Sequence, residues 1–192
     1  MYTYTCALCT LTLHTLNTAQ LPENLGSLKK LETLNVERNS LTSLPESLVN
    51  IKALKKVTLS HNKLTQFPLF LCQLTRLDFA DLSSNSIESL PESGIDVFNA
   101  VELNLNNNSI SVLPATLAKC KRLKVLRVEE NTLELGGVPD VILTESNISL
   151  LCLDGNLFPS RELQQLPQYE KVRRYNQYSK NFLSQHSWEI MG

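Results

Sequence analysis

Long apolar runs are missing from this sequence. No stretch approaches the roughly eighteen such residues of a membrane-spanning helix. Glycine is scarce, six in 192 residues, and none forms the clustered loop that cradles phosphate. Neither sign of charge dominates. The net charge is −1, so no broad pull on nucleic acid or anionic lipid is implied. Cysteines are few and odd in number, five, scattered at 6, 9, 72, 120 and 152. They outline no disulfide framework and point to a reducing, cytoplasmic setting. The opening residues lack a basic start and are broken by threonines, so they do not read as a secretory signal.

Catalytic signatures are equally thin. Cys6-Ala-Leu-Cys9 has C-x-x-C spacing, but zinc wants four ligands and only His14 lies near as a third. The stretch alternates like a strand instead of opening a helix, which argues against a redox motif. His14, His61 and His186 have no acid and nucleophile at a recognised spacing. The expectation is no catalytic residue, no metal, no cofactor and no small-molecule substrate.

What the sequence does have is a repeat. Leu31, Leu34, Val36, Asn39 and Leu41 follow the pattern Leu-x-x-Leu-x-Leu-x-x-Asn-x-Leu. The pattern returns around Asn62, Asn85, Asn108, Asn131 and Asn156, in steps of 23 residues except the last, which is 25. The two extra residues fall in or after 135–138, where a loop can absorb them. A second signature keeps the same period: Leu21-Pro22, Leu44-Pro45, Phe67-Pro68, Leu90-Pro91 and Leu113-Pro114. Apolar residues follow each proline at spacings of three, and Cys120 holds one such core position, equivalent to Ile51 and Leu74.

Each Leu-x-Leu pair has period two, so it predicts a short strand with its leucines inward. The proline segments predict a return path, helical or extended. One such coil cannot bury its leucines alone. Stacked coils can, with the strands forming a parallel sheet on the concave side. The in-register asparagines solve a backbone problem where the chain leaves each strand, because one side chain both donates and accepts. Asn39, Asn62, Asn85, Asn108, Asn131 and Asn156 are therefore expected to form a buried ladder.

These motifs resemble leucine-rich-repeat proteins of the short intracellular type. VELNLNNNSIS at 101–111, LKVLRVEENTLEL at 123–135 and LLCLDGNLF at 150–158 carry the resemblance. It implies an α/β leucine-rich-repeat solenoid with curved, parallel concave strands and a C-terminal capping helix. It also implies a cytoplasmic, non-catalytic binding module. By fold-level analogy, a regulatory or scaffolding subunit of a phosphatase or small-GTPase signalling complex is the alternative.

The register sets the boundaries. Residues 1–20 are expected to be a degenerate first coil or irregular cap, because Leu16 stands where an asparagine belongs. Residues 21–158 form the solenoid. Leu163, Leu166, Tyr169, Val172, Tyr175, Tyr178 and Phe182 make an amphipathic stripe, read as a capping helix over 159–183, with 184–192 a flexible tail. A degenerate first coil exposes a strand edge, so self-association through residues 1–20 is expected.

The register also nominates a working surface. Outward strand positions are Asn35, Glu37, Lys56, Thr58, Phe79, Asp81, Glu102, Asn104, Asn106, Arg127, Glu129 and Asp154. Ser60, Leu150 and Cys152 fall on the same face by this count. Acids gather toward its C-terminal end. That suits a protein partner bearing a basic patch and disfavours nucleic acid, and the few bases on the C-terminal stripe do not favour a membrane. Phe79 is the one aromatic there, either an interface anchor or packed sideways on a neighbouring strand.

Overall fold

The computed structural model describes residues 9–13 and 15–165. Cys6, His14, His186, the stripe from Leu166 onward and the tail at 184–192 lie outside the described residues. Seven strands, β1 (Thr10–Thr12), β2 (Thr33–Asn35), β3 (Lys56–Thr58), β4 (Phe79–Asp81), β5 (Glu102–Asn104), β6 (Val125–Arg127) and β7 (Leu150–Cys152), form one parallel sheet in sequence order. The register is uniform: Leu34 pairs with Val57, Val57 with Ala80, Ala80 with Leu103 and Leu103 with Leu126. All five are fully buried. Their period-two neighbours face the other way, so one apolar stack fills the core while two rows of mixed, mostly polar side chains cover the concave side.

The return path is built from 3₁₀ turns. Pro22, Pro45, Pro68 and Pro114 each precede one, at Glu23–Ser27, Glu46–Asn50, Leu69–Gln73 and Ala115–Lys119. Proline suits that place: its φ is preset and it has no N–H to satisfy, while its carbonyl accepts the first turn bond, as from Leu48 at 3.1 Å. The turn then delivers the apolar residue three places after proline into the core.

Coil four departs from this scheme. The residue three after Pro91 is Gly94, with φ 87°, and the turn is shortened to Ile95–Val97. Only glycine enters that left-handed region without penalty. The apolar positions slip by one in consequence. Ile95 and Phe98 are buried, Phe98 meets Phe67 edge-on at 6.1 Å, and Val97 is turned outward at 61% exposure. Cys120 is buried beneath this shifted coil and donates its thiol hydrogen to the Ile95 carbonyl at 3.1 Å.

The two extra residues of the last full step are not taken up by a loop. A 3₁₀ turn at Leu135–Gly137 is followed by a single α-helical turn, α1 (Asp140–Thr144), which buries Ile142 and Leu143. After β7 a second helix, α2, begins at Ser160 and is described to Gln165.

Candidate interaction face

The ladder fixes the edge of the concave face. Asn62 shows its logic. Its Oδ1 accepts the Leu41 N–H at 3.0 Å, and its Nδ2 sits 3.0 Å from the Val36 carbonyl of the preceding coil and 3.0 Å from its own Leu59 carbonyl. Asn85, Asn108 and Asn131 repeat both inter-coil bonds at 2.9–3.1 Å. Asn39 does the same for the first coil, through Leu13, Leu16 and Thr18, and Asn156 for the sixth, through Val128 and Leu133. Asn39, Asn62, Asn108 and Asn131 are buried, while Asn85 and Asn156 are half-buried. In the first coil Leu16 takes the equivalent place and is 61% exposed. Asn17, one place on, accepts instead from the Ser40 hydroxyl at 3.0 Å.

A further row was not visible in the residue types. Arg38, His61, Ser84, Asn107 and Glu130, each just before a ladder asparagine, have φ of 53–55°, and Gly155 has φ 75°. From the second coil to the seventh, the chain therefore turns inward through one left-handed residue just before the ladder asparagine. The signal was in the spacing, not the chemistry, since five unlike side chains share the position.

On the strands the nominated residues fall into small groups. Lys56 places its ammonium 5.1 Å from the centre of the Phe79 ring, which is half-buried. Arg127 Nε donates to Glu102 Oε1 at 2.9 Å, and its Nη1 lies 3.8 Å from Cys152 Sγ. Burial of this guanidinium opposes its charge, but the hydrogen bond and charge of Glu102 outweigh it and raise the pKa. Asn106 and Glu129 are joined twice: Nδ2 donates to Oε2 at 2.7 Å, and the Glu129 N–H donates to Asn106 Oδ1 at 2.9 Å.

Other nominated side chains face inward upon their own loop. Asn35, Asp81 and Asn104 each accept the N–H two residues on, from Glu37, Ser83 and Asn106, at 3.0–3.1 Å. Thr58 is a correction: it is only 8% exposed, a short side chain set between Asn35 and Asp81 in the same row. Ser60 and Leu150 are buried too, at 4% and 8%. Asp154 is exposed at the far end of the face.

A groove of about 490 Å³ lies elsewhere. It sits among the return segments of coils two and three and is lined by Leu44, Val49, Phe67, Leu69 and Phe70. Among the described residues no group of three or more His, Cys, Asp or Glu side chains could hold a metal ion, and no helix is long and apolar enough to cross a membrane.

Residues 30–51 and 99–120 match the family Leucine Rich Repeat. Among solved structures, a leucine-rich-repeat protein of Leptospira interrogans is 24% identical with a TM-score of 0.64, covering 85% of this chain and 47% of that one. An internalin of Listeria monocytogenes is 23% identical with a TM-score of 0.68, covering 85% and 46%. The PEPR1–AtPEP1 structure is 30% identical over 71% of this chain and 20% of that one, with a TM-score of 0.61. The chain thus spans about half the length of the first two. The fold is a leucine-rich-repeat solenoid with a parallel concave sheet.

Proposed function

We propose that this solenoid is a protein-interaction module whose partner docks on the concave face. Leucine-rich repeats commonly serve as such modules and are generally non-catalytic. The observation that carries the reading is the half-exposed strip formed by Lys56–Phe79, Glu102–Arg127 and Asn106–Glu129 on adjacent strands. Its side chains are held by one another, so a partner meets a surface that is already ordered and loses little entropy on docking. Phe79 is the aromatic anchor. Glu129 and Asp154 give the C-terminal end its negative character, which fits a basic patch on the partner.

The working set is the nominated residues without Thr58. The ladder asparagines act behind this surface, as its support. Residues 1–20 remain the candidate for self-association and a makeshift cap, and 21–158 the binding body. The stretches quoted above are similar to leucine-rich repeat-containing protein 57, which supports a cytoplasmic placement. Cys72 and Cys120 are buried free thiols. The phosphatase or small-GTPase scaffold is a finer version of the same reading. Co-purification of either activity with the chain would support it.

The test is Phe79→Ala combined with Glu129→Lys. Affinity capture from cell extract, quantified by mass spectrometry against the wild-type chain, should show partners lost while the melting temperature stays within a few degrees. Capture of the same partners in the same amounts would refute the concave face as the docking surface.

A further inference from the structure

Charge is divided between the two flanks of the solenoid. The segments that lead from the return path into the strands, 28–32, 51–55, 74–78, 97–101 and 120–124, form one flank, which 145–149 closes at its C-terminal end with the exposed acid Glu145. Their stacking is direct: the Lys55 N–H donates to the Glu32 carbonyl, Asp78 to Lys55, Val101 to Asp78 and Lys124 to Val101, all at 2.8 Å. The acids of the first five segments, Glu32 and Asp78, are both neutralised by bases of the same flank, Lys55 at 2.8 Å and Arg122 at 2.6 Å. Lys29 and Lys52 turn their ammonium groups onto neutral carbonyls, of Gly26 and Gln73, and keep their charge. Lys30, Arg76, Lys121 and Lys124 are exposed, and no described residue pairs with them. The opposite flank, where the chain leaves the strands, carries Glu37, Glu88, Glu129, Glu130 and Glu134 against Arg38 and Lys63.

The basic flank has a gap. Coil five contributes 97–101, Val-Phe-Asn-Ala-Val, with no charge, and Val97 is 61% exposed there. Cations therefore stand in two groups, one on coils two to four and one on coil six, with an apolar point between them. At about 4.8 Å per coil, Arg76 and Lys121 are separated along the stack by roughly 10 Å, the reach of about three extended residues.

We propose that this flank is a second docking surface, for a short acidic protein segment with two clusters of carboxylates separated by a few residues that include an apolar one. The carboxylates pair with Lys30 and Arg76 on one side and with Lys121 and Lys124 on the other, and the apolar residue covers Val97. Size selects this partner over a longer polyanion. The whole chain has a net charge of −1. Fields are screened beyond about 8 Å at physiological salt. A nucleic acid or an anionic membrane extends past the strip and meets the acids beside it, whereas a short segment meets only the bases. The surface is distinct from the concave strip, so the two could be occupied together.

The experiment uses the full chain and a short fluorescein-labelled peptide with aspartate–glutamate clusters at both ends and a leucine at its centre. Fluorescence anisotropy should show salt-sensitive binding. The Kd should rise tenfold or more in the variant Lys30→Glu/Arg76→Glu/Lys121→Glu/Lys124→Glu and change less than twofold in Lys63→Glu. Phe79→Ala/Glu129→Lys should still bind the peptide, which separates this surface from the concave one. Single-stranded RNA and phosphatidylserine vesicles should bind more weakly than the peptide. An unchanged Kd in the charge-reversed variant overturns the proposal, as does tighter binding of RNA or vesicles. Should the multiple variant fail to fold, lysine acetylation footprinting of the wild-type chain decides the matter. Protection of Lys30, Lys121 and Lys124 by the peptide, with Lys63 still labelled, supports the surface, and equal labelling overturns it.

Discussion

Asn108 accepts the Ile87 N–H on its Oδ1 at 2.9 Å and so fastens the coil before its own. Its Nδ2 faces the carbonyls of Leu82, Leu105 and Asn106 at 3.0–3.2 Å. Leucine at this place removes both functions, and aspartate sets a carboxylate against carbonyls. Each buried group left without a partner costs about 1–3 kcal/mol. Asn108→Leu and Asn108→Asp should therefore both lower the urea midpoint clearly, with the concave strand order otherwise intact. A chain whose midpoint is unmoved would count against the ladder.

The neighbour behaves differently. Asn107 is exposed and has φ 55°. A β-branched side chain is poorly tolerated there, at about 1–2 kcal/mol. Asn107→Val should destabilise by that amount in thermal unfolding, while Asn107→Gly should be close to neutral. Two adjacent asparagines thus fail for unrelated reasons, one through lost hydrogen bonds and one through backbone shape. Equal melting temperatures for the two Asn107 variants would remove that distinction.

Gly94 offers a counter-intuitive case. Its equivalents in other coils are Leu48, Leu71 and Leu117, so Gly94→Leu restores the repeat on paper. The core place is already filled by Ile95, and the φ of 87° penalises any Cβ although there is open space around it. The substitution should cost about 1–2 kcal/mol. A stabilised variant, measured by urea unfolding, would contradict the shifted packing of this coil.

Burial pushes the Cys72 thiol up to about 12 and the Cys120 thiol up to about 11, from 9.0. The folded chain keeps both protonated while the unfolded chain does not. Their contribution to stability is therefore fully present below about pH 9 and is lost as pH rises from there through 11 and 12. At pH 8 iodoacetamide should label these two only after the chain unfolds. Mass spectrometry of the labelled peptides reads the order, and prompt labelling of Cys72 in the native chain would contradict it.

Much of the fold was legible because period and chemistry agreed. Leu34, Val57, Ala80, Leu103 and Leu126 share one alternation, and their burial follows from it. The ladder position was readable from spacing, since only an amide can donate and accept at once. Coil four was not readable, because Gly94 moves the buried set by one residue and the pattern of apolar letters looks merely irregular. The concave face was legible in outline only. Outward alternation places Thr58 and Ser60 beside Lys56, but neighbouring longer side chains cover them, and that depends on what stands one coil away. Likewise nothing in the letters says that Asn35, Asp81 and Asn104 spend an oxygen on their own loop. The separation of charge between flanks needed the return path itself, which sets Lys30, Arg76 and Lys121 along one flank although they are 91 positions apart from first to last (121 − 30).

The amide bonds all lean one way. Asn62 reaches to Val36 and Leu41, Asn85 to Leu59 and Leu64, and Asn131 to Leu105 and Ile110, each toward lower residue numbers. The stack is thus shingled, every tile held down by the one laid after it. Trimming the two ends is not equivalent. Deleting an early tile leaves an asparagine side chain that water can serve, whereas deleting a late one strips cover from peptide groups that had none other, and unravelling begins there.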